Sequence, residues 1–326
     1  MKKSIFLSFI LCLCLIACIP QQAMAQKQSR MEKLLRYLND NDADKWQKNR
    51  EKLDDETKAY YAEDLSLMDV LNDLWNGQSE QAATLYFGCY EKAAQSNFPS
   101  ICEGEKIPLS QIRDKADQSI INLLEASKDK IPFSRALLDS IHATEYPVDS
   151  AMLQRLQNIR EVALLEGMLK APTPIIYQTY VKEYPNGKFI AQVNASENVR
   201  LYQLVKTTPT PANFKAFFED PEMQKYYQDR GPRPYLAEVR TLYDDFLFQR
   251  IDSLKKEGNA TAIRQIIDDY KNTPYLATGA RTHLNDLEYL SEKADFELLK
   301  PAIVNSESLG LLQEFLKTHK YKEFRD

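Results

Sequence analysis

The chain has 326 residues, with 47 acids against 42 lysines and arginines, a formal charge of −5, three histidines and five cysteines. That balance excludes a nucleic-acid binder, which needs clustered Lys and Arg to neutralise phosphates. Glycine and valine are scarce at nine each, which excludes a fold built on β-branched strands and glycine turns. The expectation is an all-α chain of helices joined by short turns.

Residues 1–25 stand apart from the rest. Lys2 and Lys3 are followed by an apolar run from Ile5 to Ile19, then a short polar stretch ending Ala23-Met24-Ala25. A charged start, an apolar middle and a small-x-small end describe a secretory signal. The run is shorter than the ~20 apolar residues of a membrane span. Leu15-Ile16-Ala17-Cys18 also resembles the lipobox of bacterial lipoproteins, which implies lipidation at Cys18. Both readings export the chain, to the periplasm or the outer membrane. Cleavage after Ala25 removes two lysines and no acid, so the formal charge moves from −5 to −7.

Residues 26–130 read as an N-terminal helical region. Met31 to Leu38 is a short amphipathic helix. Asn41 or Asp42 caps a second helix containing Trp46 and Leu53. A third runs from about Glu56 to Trp75 and is broken by Gly77, and Ser79 opens a fourth through Tyr86 to Ala94. Cys89 and Cys102 fall here, and an oxidising compartment permits them either to pair or to remain buried thiols. Neither belongs to a Cys-x-x-Cys or a metal pattern.

Residues 131–326 carry the more informative pattern. Ser150 caps a helix with Leu153, Leu156, Ile159 and Ala163. Leu236, Val239, Tyr243, Phe246, Leu247, Ile251 and Leu254 recur at spacings of three and four, one stripe of a long helix. Lys255, Lys256 and Gly258 end it, and Asn259 opens the next. Pro132, Pro172 and Pro301 fall where helices start or break. The segment Tyr177–Ala191 aligns without gaps on Ile263–Ala277, pairing Tyr184 with Tyr270. Leu312–Phe324, Phe214–Pro221 and Leu138–Pro147 fit the same frame in whole or part. Each copy predicts a helix end, a turn and the next helix start. Tyr180 and Val181 face inward, and Pro185 and Gly187 terminate the helix. A single hairpin cannot bury its own face, so neighbours must stack.

This motif resembles the tetratricopeptide (TPR-like) repeats of bacterial envelope proteins, in particular those with an aromatic-x-x-Tyr-Pro-x-Gly/Ser turn. Asp73-Leu74-Trp75-Asn76-Gly77 with Ala82, Ala83 and Tyr86 is similar to the first helix pair of such a repeat. The resemblance implies an α-solenoid of stacked antiparallel hairpins that binds proteins. Copy spacing is uneven and two copies lack the Tyr-Pro pair, so the implied stack is irregular.

No catalytic residue, metal site or cofactor is expected. His142, His283 and His319 have no second His or Cys at metal-ligand spacing, and His142 and His319 are expected to pack at helix ends. Asp54-Asp55, Asp244-Asp245 and Asp268-Asp269 read as solvated surface, because adjacent helical acids point apart. The irregular insertion Asp220–Pro234 is the candidate binding loop, with Tyr226, Tyr227, Arg230, Arg233 and the adjoining Tyr235. The expected function is an exported scaffold that holds a protein or peptide partner. The alternatives are an all-helical enzyme acting on glycan or peptidoglycan, and a purely structural envelope component. Ordinary cleavage predicts a mature chain that begins at Gln26 and takes up no radioactive fatty acid; a label on the mature protein selects the Cys18 anchor instead.

Overall fold

The computed structural model describes residues 24–257, 260–276, 283–304 and 309–318. Cys18 with the rest of residues 1–23, Gly258, Asn259 and His319 lie outside them. Every regular element among the described residues is a helix, so the chain is all-α. No helix among them is long and apolar enough to cross a membrane. The chain forms two compact units divided between Glu166 and Gly167.

The first unit opens with α1 (24–39), which buries Met31, Leu34, Leu35 and Leu38. The helix α2 (Ala43–Glu51) is capped by Asp42, whose side chain accepts from Lys45 N at 3.1 Å. The predicted third helix is split into α3 (Asp55–Tyr60) and α4 (Ala62–Trp75), because Tyr61 leaves helical geometry at φ −106°, ψ 32°. Asp54 caps α3 through Thr57 N at 2.7 Å, so this acid works as a cap. Gly77 ends α4: a Cβ there would sit 2.8 Å from the Asp73 carbonyl oxygen, and only glycine fits. Ser79 then caps α5 (Glu80–Ala94). The unit continues through α6 (Phe98–Gly104), α7 (Leu109–Ala126), α8 (Lys130–His142) and into α9 (Ser150–Lys170).

Within this unit α5 is central. It packs along α4 and also meets α6, α7 and α8, while α4 meets α7. This is a cluster around one helix, with contacts beyond those between chain neighbours. The core joins Tyr86, Phe87 and Tyr90 of α5 to Tyr146, in the turn before α9. The Tyr146 ring meets Phe87 and Tyr90 edge-on at 4.9 and 5.1 Å. Its hydroxyl donates to Asp117 Oδ1 of α7 at 2.5 Å and lies 3.4 Å from the Tyr86 hydroxyl. Arg160 of α9 is 2% exposed and donates to the Ile131 carbonyl at 2.7 Å, pinning α9 to the first turn of α8.

The second unit takes the rest of α9 with α10 (Pro174–Glu183), α11 (Ile190–Thr207), α12 (Pro211–Glu219), α13 (Pro221–Tyr227), α14 (Leu236–Lys256), α15 (Ala260–Asn272), α16 (Leu284–Val304) and α17 (Leu309–Thr318). Consecutive helices pack here: α10 on α11, α11 on α12, α14 on α15, α15 on α16, α16 on α17. Pro301 does not end a helix; α16 runs through it to Val304. The repeat copies are helix ends followed by turns wherever their residues are described. Gly187 is not the left-handed residue of the turn; among the described glycines that is Gly231, at φ 97°. The Tyr180 hydroxyl accepts Phe189 N–H at 3.1 Å, at the start of α11. The Tyr270 hydroxyl accepts His283 N–H at 3.3 Å, just before α16. The structural partner of Tyr270 is therefore Tyr180, one turn before the residue that the gapless alignment chooses.

Burial pushes the Asp117 carboxyl up to about 6 from an ordinary 3.8; the Tyr146 hydroxyl and Arg113 oppose the shift, while Asp114 and Asp149 add to it. A folded value above the unfolded one means that the folded chain holds its proton after the unfolded chain has lost it. The cost of burying Asp117 is therefore absent below the unfolded value, grows as pH rises towards about 6, and is constant beyond. Asp117→Asn keeps an acceptor for Tyr146 and cannot ionise. In urea titrations its stability relative to the parent is expected to rise by roughly 2–3 kcal/mol between about pH 4 and pH 7. A difference that is flat across that range places the Asp117 proton elsewhere.

Candidate binding site

The insertion begins with more order than the sequence pattern implies. Asp220 accepts Met223 N–H at 2.8 Å and caps α13, with Pro221 at the first helical position. Only residues 228–235 are irregular. Gly231 supplies one left-handed turn and Tyr235 a second, at φ 66°, directly before α14. A left-handed tyrosine costs energy that its surroundings must offset, and its ring stacks on Tyr202 at 4.3 Å.

These turns wrap a cavity of about 870 Å³ inside the second unit. Met223 and Tyr227 of α13 line it, with Arg233 of the loop, Arg240 of α14 and Tyr275 of the turn after α15. Met223 is fully buried and Tyr227 half-buried. Arg240 Nε donates to the Tyr275 carbonyl at 3.1 Å, and the Tyr275 hydroxyl donates to Glu219. Exposed Lys225 adds a third cation to the lining.

Arg233 organises this wall. Its Nε donates to Asn198 Oδ1 at 2.6 Å, Nη1 donates to the Phe217 carbonyl, and the guanidinium lies 3.9 Å over the Phe217 ring. Asn198 in turn donates to the Pro234 carbonyl at 3.2 Å, closing the loop onto α11. Nη2 of Arg233 is buried and makes no hydrogen bond within the protein. Burial pulls the guanidinium below its ordinary value, against the attraction of Asp220.

The five predicted loop residues separate. Tyr227 and Arg233 reach the cavity. Tyr226 and Arg230 pair with each other, guanidinium over ring at 4.3 Å. Tyr235 stacks on Tyr202. Lys225, Arg240, Met223 and Tyr275 were not singled out by sequence; the signal for Arg240 was its place one turn after Leu236 on the α14 stripe.

Of the two alternatives open to Cys89 and Cys102, the structure has the unbonded thiols. Cys89 Sγ lies 3.5 Å from Ser66 Oγ, while Cys102 is buried near Asp64. Asp64 and Ser66 are two apart on α4 and point to different flanks, which separates the thiols. Burial pushes the Cys102 thiol up to about 12, so it carries little reactive thiolate at neutral pH. His142 ends α8 but is exposed, not packed. Asp244 is 3% exposed and is no surface acid, whereas Asp268 and Asp269 are exposed.

No protein-family model matches the chain, and no curated protein or solved structure matches it either. The site is therefore read from its own geometry. Arg233→Met removes the donors that satisfy Asn198 and the Phe217 carbonyl and keeps the side-chain length. It is expected to cost about 2–3 kcal/mol in urea unfolding. A loss below about 0.5 kcal/mol, the level of a neutral surface change, means that the loop is held by other contacts.

Proposed function

We propose that the protein is an exported, TPR-like helical-repeat protein of the bacterial cell envelope, and that it holds an acidic peptide segment of a protein partner. The cavity of about 870 Å³ carries this reading. It lies within the ~300–1,000 Å³ range of ligand pockets. Tyr227 and Tyr275 offer apolar contact, and Lys225, Arg233 and Arg240 outnumber the one lining acid, Glu219. The work is surface complementarity, with Lys225 and Arg240 as the cations that meet a carboxylate and Arg233 holding the loop that frames them. Consecutive helix packing in the second unit and the aligned helix-end motif support the repeat reading. The leader supports export.

One observation favours a second reading. Asp117, with its carboxyl near 6, lines a hollow of about 260 Å³ together with Asp114, Asp149 and Arg155. A carboxyl held near neutrality beside other acids is what general-acid hydrolysis of a glycan needs.

A photo-reactive residue at Lys225 separates the two in intact cells. The expected product is a cross-link to a protein partner, lost when Arg240 is changed to Glu and absent when the probe sits at Lys128 of the first unit. No cross-link, together with release of fragments from an envelope polymer by the pure protein and loss of that release in Asp117→Asn, selects the enzyme.

A further inference from the structure

The sequence pattern gave no reason to place a metal in this chain, yet the second unit brings three ligand-type side chains together from residues 38 and 39 positions apart. Asp244 and Asp245 are on α14, and His283 stands just before α16. One oxygen of each carboxylate and a ring nitrogen of the histidine all lie within 4.8 Å of one another. His283 Nε2 is 3.8 Å from Asp244 Oδ2 and 3.5 Å from Asp245 Oδ1. We propose that Asp244, Asp245 and His283 bind a divalent transition-metal ion of the zinc class.

The distances suit an ion better than a direct contact. A charge-assisted N–H···O bond closes to ~2.7–2.9 Å, and the imidazole closes on neither carboxylate. Ligand atoms at ~2.0–2.2 Å from one tetrahedral zinc stand about 3.4 Å apart, close to both separations. Neighbouring helical residues point about 100° apart, so the two acids do not normally share a target. Here the imidazole lies between them, and one ion can reach all three. An imidazole in the set favours zinc, copper or nickel over magnesium or calcium.

The supporting shell is built as metal sites require. The other oxygen of Asp244 accepts the Tyr270 hydroxyl of α15, and that hydroxyl accepts the His283 backbone N–H at 3.3 Å. Tyr270 thus orients one ligand and fixes the backbone of another. The His283 ring stacks on Phe248 at 4.1 Å with planes 14° apart, which sets its rotation. Tyr270 and Asp244 are almost completely buried, while Asp245 is half exposed. The three side chains therefore meet solvent on the Asp245 side. Three protein ligands leave a fourth position for water or for a ligand atom, the arrangement of a reactive or ligand-accepting zinc more than of a structural one. The ion would also join α14 to the start of α16, so its binding would raise the melting temperature.

Calorimetric titration of tag-free, chelator-treated protein with zinc chloride tests this. The expected result is one ion per chain, a zinc-dependent rise in Tm, and a visible four-coordinate spectrum when Co2+ replaces zinc. Asp245→Asn and His283→Gln, neither of them a buried position, should each weaken zinc at least tenfold and abolish the cobalt spectrum. Tyr270→Phe should weaken zinc by ~10–100-fold, the range for lost supporting contacts, and Asp252→Asn on the same helix should change nothing. Folded wild-type protein that takes up no zinc overturns the proposal. So does uptake that Asp245→Asn and His283→Gln both leave unchanged.

Discussion

Register between the helices depends on tyrosine hydroxyls that leave one element and end on an acid or amide of another. Tyr146 reaches Asp117 at 2.5 Å, Tyr177 reaches Asn194 at 2.9 Å and Tyr202 reaches Glu238 at 2.5 Å; Tyr270 and Tyr275 reach Asp244 and Glu219. A core of Leu, Ile and Met alone lets one helix slide along another at small cost, because such contacts are not directional. A buried hydroxyl cannot slide: leaving it dry costs ~1–3 kcal/mol. Its ring supplies apolar area while its oxygen selects one position. The acid benefits in turn, since the hydroxyl gives it a donor where burial would otherwise leave it unpaired.

What could be read in advance follows from how local each cause is. Helix caps are local. The capping roles of Asp42 and Ser79 follow from a few neighbouring residues, and they hold. The stripe of α14 is nearly as local, and Val239, Leu247 and Ile251 are buried as its spacing requires. The split at Tyr61 was less visible, because the residues on both sides favour helix and only the packing of Tyr61 in the core interrupts them. The aligned motif marked helix ends, and its described residues do fall at helix ends. Its register was not legible, since the gapless alignment matches tyrosine letters while the fold matches hydroxyls that receive a backbone N–H, Tyr180 with Tyr270.

Asp244 was misread as a surface acid for a reason that the spacing itself contains, and other buried polar residues share it. Asp244 precedes Leu247 by three and Ile251 by seven, and Asp117 precedes Ile120 by three and Leu124 by seven. Asn194, Glu197 and Asn198 precede Leu201 by seven, four and three. Each is a polar residue on the apolar stripe of its helix, and each is buried. The pairing of two aspartates drew attention to their adjacency, when the stripe position of one was the informative fact. The partner of each could not be found this way. His283 comes to Asp245 across 38 positions and Arg233 to Asn198 across 35, and no periodicity carries such a distance.

Charge distribution sharpens what the cavity of the second unit selects. The whole chain carries −5, so its average field repels an acidic ligand, yet Lys225, Arg233 and Arg240 line one hollow. A local inversion of sign within an acidic surface contributes little to long-range steering at physiological salt, where screening acts beyond ~8 Å. On the proposed reading it acts on contact, when a ligand carboxylate reaches the exposed Lys225 at the edge of the hollow. On that reading the complex forms slowly and selectively: the surrounding acids reject wrong partners and close contact with the lining cations holds the right one.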